Sequence, residues 1–270
     1  MSLLAAVILG ILQGLTEFLP VSSSAHLILA RAFFGWEVPA DFGLAFDVAL
    51  HVGTLAAILA FFRREIASMA RAVPSMWSDS PDPSGRLMQR IVIGTLPVVV
   101  VGLLFNDVIE QTLRTPAVAA WALAIGAVVM FAAERLSHRE RTEDALTWVG
   151  ALLIGCAQAT ALIPGVSRSG STIALGMFLG LRRDAAARFT FLLAIPATVA
   201  AAGKESYEVT KMSLTSSTVQ LMTVGLIVSA VVGYVTIKYF LRFLAGNRLD
   251  VFAYYRWALA AATFVWLFAP

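Results

Sequence analysis

Cysteine occurs once in this chain, at Cys156, so no intramolecular disulfide framework exists and the redox compartment stays open. Histidine and cysteine form no cluster at metal-ligand spacing and no glycine-rich Walker loop appears, which leaves no transition-metal or P-loop signature. Charge is also scarce. Only 14% of residues are charged and 59% are hydrophobic, with a mean hydropathy of +0.81, against about 25% and about 45–50% in soluble domains. These values exclude a soluble globular protein and specify a polytopic membrane protein. The net charge of +3 does not indicate nucleic-acid binding, because most basic residues sit at helix ends, where membrane topology places them. A cleaved signal peptide is not expected, since no Lys or Arg precedes the apolar stretch 3 to 19 and Gln13 and Glu17 interrupt it.

What the chain has instead is helix-length apolar sequence. A hydrocarbon core about 30 Å thick needs about 20 helical residues, and six stretches qualify: 41 to 63, 87 to 105, 117 to 136, 184 to 203, 218 to 243 and 251 to 269. Four other runs flank two knots of hydroxyls, Pro20-Val-Ser-Ser-Ser-Ala-His26 and Pro164-Gly-Val-Ser-Arg-Ser-Gly-Ser171. Proline stops one helix and serine N-caps the next. The runs 24 to 35 and 169 to 181 are too short to cross, while 3 to 19 and 145 to 163 nearly span by length alone. Each pair reads as a re-entrant hairpin with its knot near the midplane.

The order is half-helix, half-helix and three spans, twice over. The expected fold is therefore all-α, one integral membrane domain over 1 to 270, with repeat 1 at 1 to 136 and repeat 2 at 145 to 270. Gly10-x-x-Gln13 before Pro20 matches Gly155-x-x-Gln158 before Pro164. Three crossings per repeat invert one copy against the other, an architecture that places its site between the repeats. Charge orients it. With the N-terminus outside, fourteen Lys and Arg residues (63, 64, 71, 86, 90, 135, 139, 141, 182, 183, 188, 238, 242 and 248) lie at the cytoplasmic side, against four (31, 114, 204 and 211) outside. Both termini are expected outside, and Trp36, Trp77, Tyr207 and Trp266 suit interfacial positions.

The knots concentrate chemistry. Glu17, His26 and Arg168 are ionisable groups within apolar surroundings, where each is costly and marks function by default. Gln13 and Glu17 share one helix face, and Ser22 and Ser23 stand four and three residues before His26. Seven hydroxyl residues (Ser22, Ser23, Ser24, Ser167, Ser169, Ser171 and Thr172) gather at two helix N-termini. Free amides, a positive dipole end and a guanidinium together describe an oxyanion or phosphate cradle. A simple structural Glu17–Arg168 pair is the competing reading. Asp47 and His51, four apart within 41 to 63, are candidates to reach the site, with pore lining or interhelical hydrogen bonding the preferred assignment, and His138 is assigned to a solvated loop.

Gly-Ile-Leu-Gln-Gly-Leu-Thr-Glu-Phe-Leu-Pro-Val-Ser-Ser-Ser-Ala-His from Gly10 to His26, with Pro164 to Gly170 and Phe189 to Pro196, resembles the bacterial undecaprenyl-diphosphate phosphatase family associated with bacitracin resistance. The resemblance implies hydrolysis of the C55 isoprenyl diphosphate to the monophosphate, recycling the lipid carrier of cell-wall synthesis. It places a glutamate-rich motif on Gln13 and Glu17, a serine-histidine motif on Ser22, Ser23, Ser24 and His26, and a phosphate loop on Ser167, Arg168 and Ser169. It also implies the bacterial cytoplasmic membrane, a divalent cation, Mg2+ or Ca2+, a site opening to the outer face and a homodimer. Gln13 uses the neutral option of its motif, so two carboxylates from this helix are not available to a cation.

Arg168 and Glu17 cancel in charge, so a cation bridging Glu17 and the substrate would offset the diphosphate. The expected roles are Ser23 as nucleophile, His26 as general base and later acid, Arg168 with Ser167, Ser169, Ser22, Ser24, Gln13 and Thr172 around the phosphates, and Glu17 as metal ligand. A cation-activated water is the alternative attacking group. Two other readings remain. One is a lipid-phosphate transporter or flippase using the same midplane site. The other is a phosphatidic-acid-phosphatase type of enzyme, whose signature needs a histidine shortly after the arginine that Ile173 and its neighbours do not supply.

Overall fold

The computed structural model describes residues 1–36 and 40–269. Eleven α-helices follow in order: α1 (Leu3–Thr16), α2 (Ser23–Phe34), α3 (Ala40–Phe61), α4 (Arg63–Arg71), α5 (Pro83–Val108), α6 (Pro116–Leu136), α7 (Trp148–Thr160), α8 (Arg168–Phe178), α9 (Arg183–Thr210), α10 (Ser216–Gly246) and α11 (Asp250–Phe268). Five of them, α5, α6, α9, α10 and α11, are long and apolar enough to cross a membrane on their own. The sixth candidate is α3 with α4, which bend by 71° at their junction.

The helix ends follow local chemistry. Ser2, Thr115, Thr147 and Thr215 each accept an amide N–H in the first turn of α1, α6, α7 and α10. Gly35, at φ 59°, ends α2 in the left-handed conformation. With 14, 12, 13 and 11 residues, α1, α2, α7 and α8 reach only about 17–21 Å at 1.5 Å per residue. The stretches 3 to 19 and 145 to 163 are thereby shorter as helices than their apolar length suggested. Both stop before the hydroxyl knots.

The two halves of the chain interleave: α1 packs on α10 and α7 packs on α5. Apolar side chains gain nothing by leaving lipid for one another, so membrane helices adhere through close backbone approach and polar contacts. Accordingly, a Cβ added to Gly155 of α7 would stand 2.2 Å from the Gly94 carbonyl oxygen of α5. At the centre, Phe18 meets Phe191 edge to face at 5.5 Å and anchors the chain beside Glu17. At one end, the buried Glu134 carboxylate accepts from Arg139, Arg183 and the Leu249 amide, joining α6, α9 and α11. An ionised group in such surroundings persists because its lone pairs are filled.

Candidate active site

Both breaks have the same backbone solution. Ser22 and Ser167, the N-caps of α2 and α8, lie at φ 72° with ψ 99° and 112°. A non-glycine residue there costs about 1–3 kcal/mol, and the same conformation recurs at the N-cap of the second knot. The Ser167 hydroxyl accepts from the Gly170 amide at 3.1 Å. Ser22 Oγ accepts from Ala25 at 3.5 Å and, across the repeats, from Gly165 at 3.2 Å. Ser169 Oγ donates to the Leu19 carbonyl at 2.9 Å. The two knots therefore touch each other.

Arg256, which sequence reasoning missed, clamps them together. Its fully buried guanidinium donates to the carbonyls of Pro20, Gly165, Val166, Ala122 and Leu123 at 2.9–3.2 Å. The Pro20, Gly165 and Val166 carbonyls are acceptors that the broken helices leave unpaired, while Ala122 and Leu123 lie within α6. Gly126 makes the room, since a Cβ there would lie 1.9 Å from Arg256 Nη2. The signal was present: an arginine in the apolar run 251 to 269 is expensive unless it is used.

Next to the clamp is a cavity of about 240 Å3 lined by Glu17, Ser22, Ser23, Ser24, Ser167 and Arg168, together with His51, Gln158, Thr198 and Glu205. Glu17 is its hub. One carboxylate oxygen accepts from Arg168 at 2.5 Å, and the other accepts from Ser23 Oγ at 2.6 Å and Gln13 Nε2 at 3.1 Å. Arg168 also donates to Thr198 Oγ1 at 2.6 Å. Ser23 and Ser24 at the start of α2 and Arg168 at the start of α8, where first-turn amides lack intrahelical acceptors, all line this cavity.

Four expected site residues stand elsewhere. His26 reaches neither Ser22 Oγ nor Ser23 Oγ: its Nδ1 meets the Ser22 carbonyl at 2.7 Å and its Nε2 meets Tyr255 Oη at 2.7 Å. The imidazole stacks on the Tyr255 ring, turned toward α11 and away from the cavity. Spacing on α2 allowed the contact with Ser23, but Glu17 captures that hydroxyl first. Thr172 is fully buried between the Arg168 carbonyl and Thr190, Ser169 is committed to Leu19, and Gln13 supports Glu17 from behind. None of the four lines the cavity.

Asp47 and His51 separate in role. Asp47 pairs with Arg31 at 2.5 Å and Arg114 at 3.5 Å, whereas His51, held through Nδ1 on the Asp47 carbonyl at 2.8 Å, lines the cavity. Thr198 and Glu205 were not found from sequence, because nothing local distinguishes a threonine or glutamate on a span as facing a cavity.

Among the described residues no three His, Cys, Asp or Glu side chains gather into a metal cage. A divalent cation fits only with a carboxylate such as Glu17 supplying one ligand and phosphate oxygens or water completing the shell, which is ordinary for Mg2+.

Comparison with known proteins decides the family. The model for Bacitracin resistance protein BacA matches residues 6–262. The chain belongs to the BacA family. Its relatives include the undecaprenyl-diphosphatase of Rubrobacter xylanophilus, 45% identical over 97% of both chains, and that of Nitrosococcus oceani, 44% identical over 95% of this chain and 96% of the relative. Undecaprenyl-diphosphatase 2 of Stutzerimonas stutzeri is 43% identical over 98% of both. The Glu17–Ser23–Arg168 cluster lies where the two breaks of this chain meet.

Proposed function

We propose that this chain hydrolyses undecaprenyl diphosphate to undecaprenyl phosphate and inorganic phosphate, recycling the lipid carrier of cell-wall synthesis. The observation that carries the reading is the Ser23 hydroxyl donating to Glu17 at 2.6 Å, with Arg168 on the other oxygen of the same carboxylate. That is a nucleophile, a proton acceptor and a phosphate-binding cation in one cavity at two helix N-termini.

In the step, Ser23 Oγ attacks the terminal phosphorus and its proton passes to Glu17. The bridging P–O bond breaks, and undecaprenyl phosphate leaves with that oxygen and the proton from Glu17. Water then gives a proton to the freed Glu17 carboxylate and attacks the phosphorus; the Ser23 Oγ–P bond breaks, the proton returns from Glu17 to Ser23, and inorganic phosphate leaves. Arg168 and the amides at the start of α2 and α8 hold the phosphate oxygens, and such positioning and charge stabilisation dominate phosphoryl transfer. Glu17 thus takes the base role that spacing had assigned to His26. Glu17 would hold a Mg2+ or Ca2+ ion, which would supply positive charge that the Glu17–Arg168 pair does not.

We further place both termini on the outer face on the strength of the Lys and Arg distribution, and place the chain in the bacterial cytoplasmic membrane with its cavity mouth on the outer face on resemblance. A homodimer is proposed on resemblance alone. Phosphate release from C55 diphosphate by detergent-purified protein, with and without Mg2+, tests the function beside Glu17→Ala and Arg168→Ala. Release lost in both variants is expected. No release by the unaltered protein in any condition favours a transporter.

A further inference from the structure

Gln158 lines the cavity, is almost fully buried, and has no hydrogen-bond partner at either its amide oxygen or its amide nitrogen. Burying an unpaired amide costs free energy, and that cost is greater next to apolar helix surface than in water. The repeat explains how it arises. Gln13 and Gln158 each stand nine residues before their positive-φ serine, Ser22 or Ser167. In repeat 1 the residue four positions on is Glu17, which accepts from Gln13. In repeat 2 that position is Leu162, which offers no acceptor. The second amide therefore keeps its donors uncommitted in a side chain that lines the cavity wall. Gly155, one turn earlier, sits so close to Gly94 that α7 has little freedom to rotate the amide away.

We propose that Gln158 is a substrate-binding residue whose amide N–H groups donate to a phosphate oxygen of the lipid diphosphate. It rests on the diphosphate substrate proposed above. A phosphate oxygen only accepts, so the amide nitrogen faces it, and the donors become paired when substrate enters. Removing a hydrogen bond to a charged acceptor weakens binding roughly ten- to a hundredfold.

The test uses the full chain in detergent with Mg2+, comparing the unaltered protein with Gln158→Met and Gln158→Glu. Binding of inorganic pyrophosphate is followed by thermal shift, and phosphate release from C55 diphosphate is measured beside it. Gln158→Met keeps length and loses the donors, so it should melt at or above the unaltered protein while binding pyrophosphate at least tenfold more weakly and raising KM. Gln158→Glu places a carboxylate against the phosphate and should bind more weakly still. Unchanged affinity in Gln158→Met, a lowered resting Tm in that variant, or no protection of the unaltered protein by pyrophosphate would each overturn the assignment. Protection by pyrophosphate that Gln158→Met abolishes, without phosphate release by the unaltered protein, upholds the contact and removes the hydrolase reading alone.

Discussion

Glu17→Gln is the most informative change, because the amide is isosteric yet unable to serve both of its neighbours. The carboxylate accepts from Arg168 on one oxygen and from Ser23 and Gln13 on the other. An amide oxygen turned to Arg168 leaves the NH2 group facing Ser23 and the donor of Gln13. Ser23 then accepts a hydrogen bond where it had donated one, and its proton has nowhere to go. Loss of a positioned general base lowers rate about 10²–10⁴-fold, equivalent to about 3–5 kcal/mol of barrier. The Glu17 and Arg168 side chains are 9% and 21% exposed, so the stability loss should fall below the ~3–5 kcal/mol of a fully buried broken pair. Phosphate release under saturating C55 diphosphate, with thermal denaturation alongside, separates the two effects. Ser23→Ala should match it in kcat, and the double variant should lose no more than either single one, since the two residues act as a unit. A Glu17→Gln protein with kcat within tenfold of the unaltered one, or additive losses in the cycle, refutes the Glu17–Ser23 mechanism.

Gly126→Ala should displace Arg256, leaving carbonyls of both breaks unpaired at about 1–3 kcal/mol each; an unchanged Tm and rate would dismiss the clamp. Tyr255→Phe removes the Nε2 partner of His26 and, with the imidazole outside the cavity, should alter phosphate release by no more than about tenfold; a loss matching Ser23→Ala would restore His26 to the chemistry. Excess chelator should abolish phosphate release and added Mg2+ or Ca2+ should restore it, whereas full activity in chelator would rule out the proposed cation.

Much of the site was legible because it is written in local rules. Proline then serine reads as a stop and a cap wherever it stands, and Ser22 and Ser167 occupy the N-caps their spacing predicts. Glu17 and Arg168 stood out because lipid makes an ionised side chain conspicuous. By the same argument Arg256 was legible and passed over. Thr198 was not, since an alcohol on a long span satisfies itself on its own helix as readily as it meets a guanidinium.

Composition and hydrophobic length alone determined the solvent, the all-helical class, the six candidate spans and the two breaks, because each follows from the cost of exposing backbone or charge to lipid. Sequence could also bring Ser22, Ser23 and His26 onto one helix face, but a shared face only permits a contact. Which contact forms was decided by the tertiary structure. The turn of the first knot brings Ser23 to Glu17, packing of the two halves brings Arg168 to the same carboxylate, and α11 takes His26 with Tyr255 and supplies Arg256 to both knots. The pairing of a hydroxyl with one acceptor over another depends on distances set by the turn between two helices and by helices far apart in the chain, which no spacing within one helix contains.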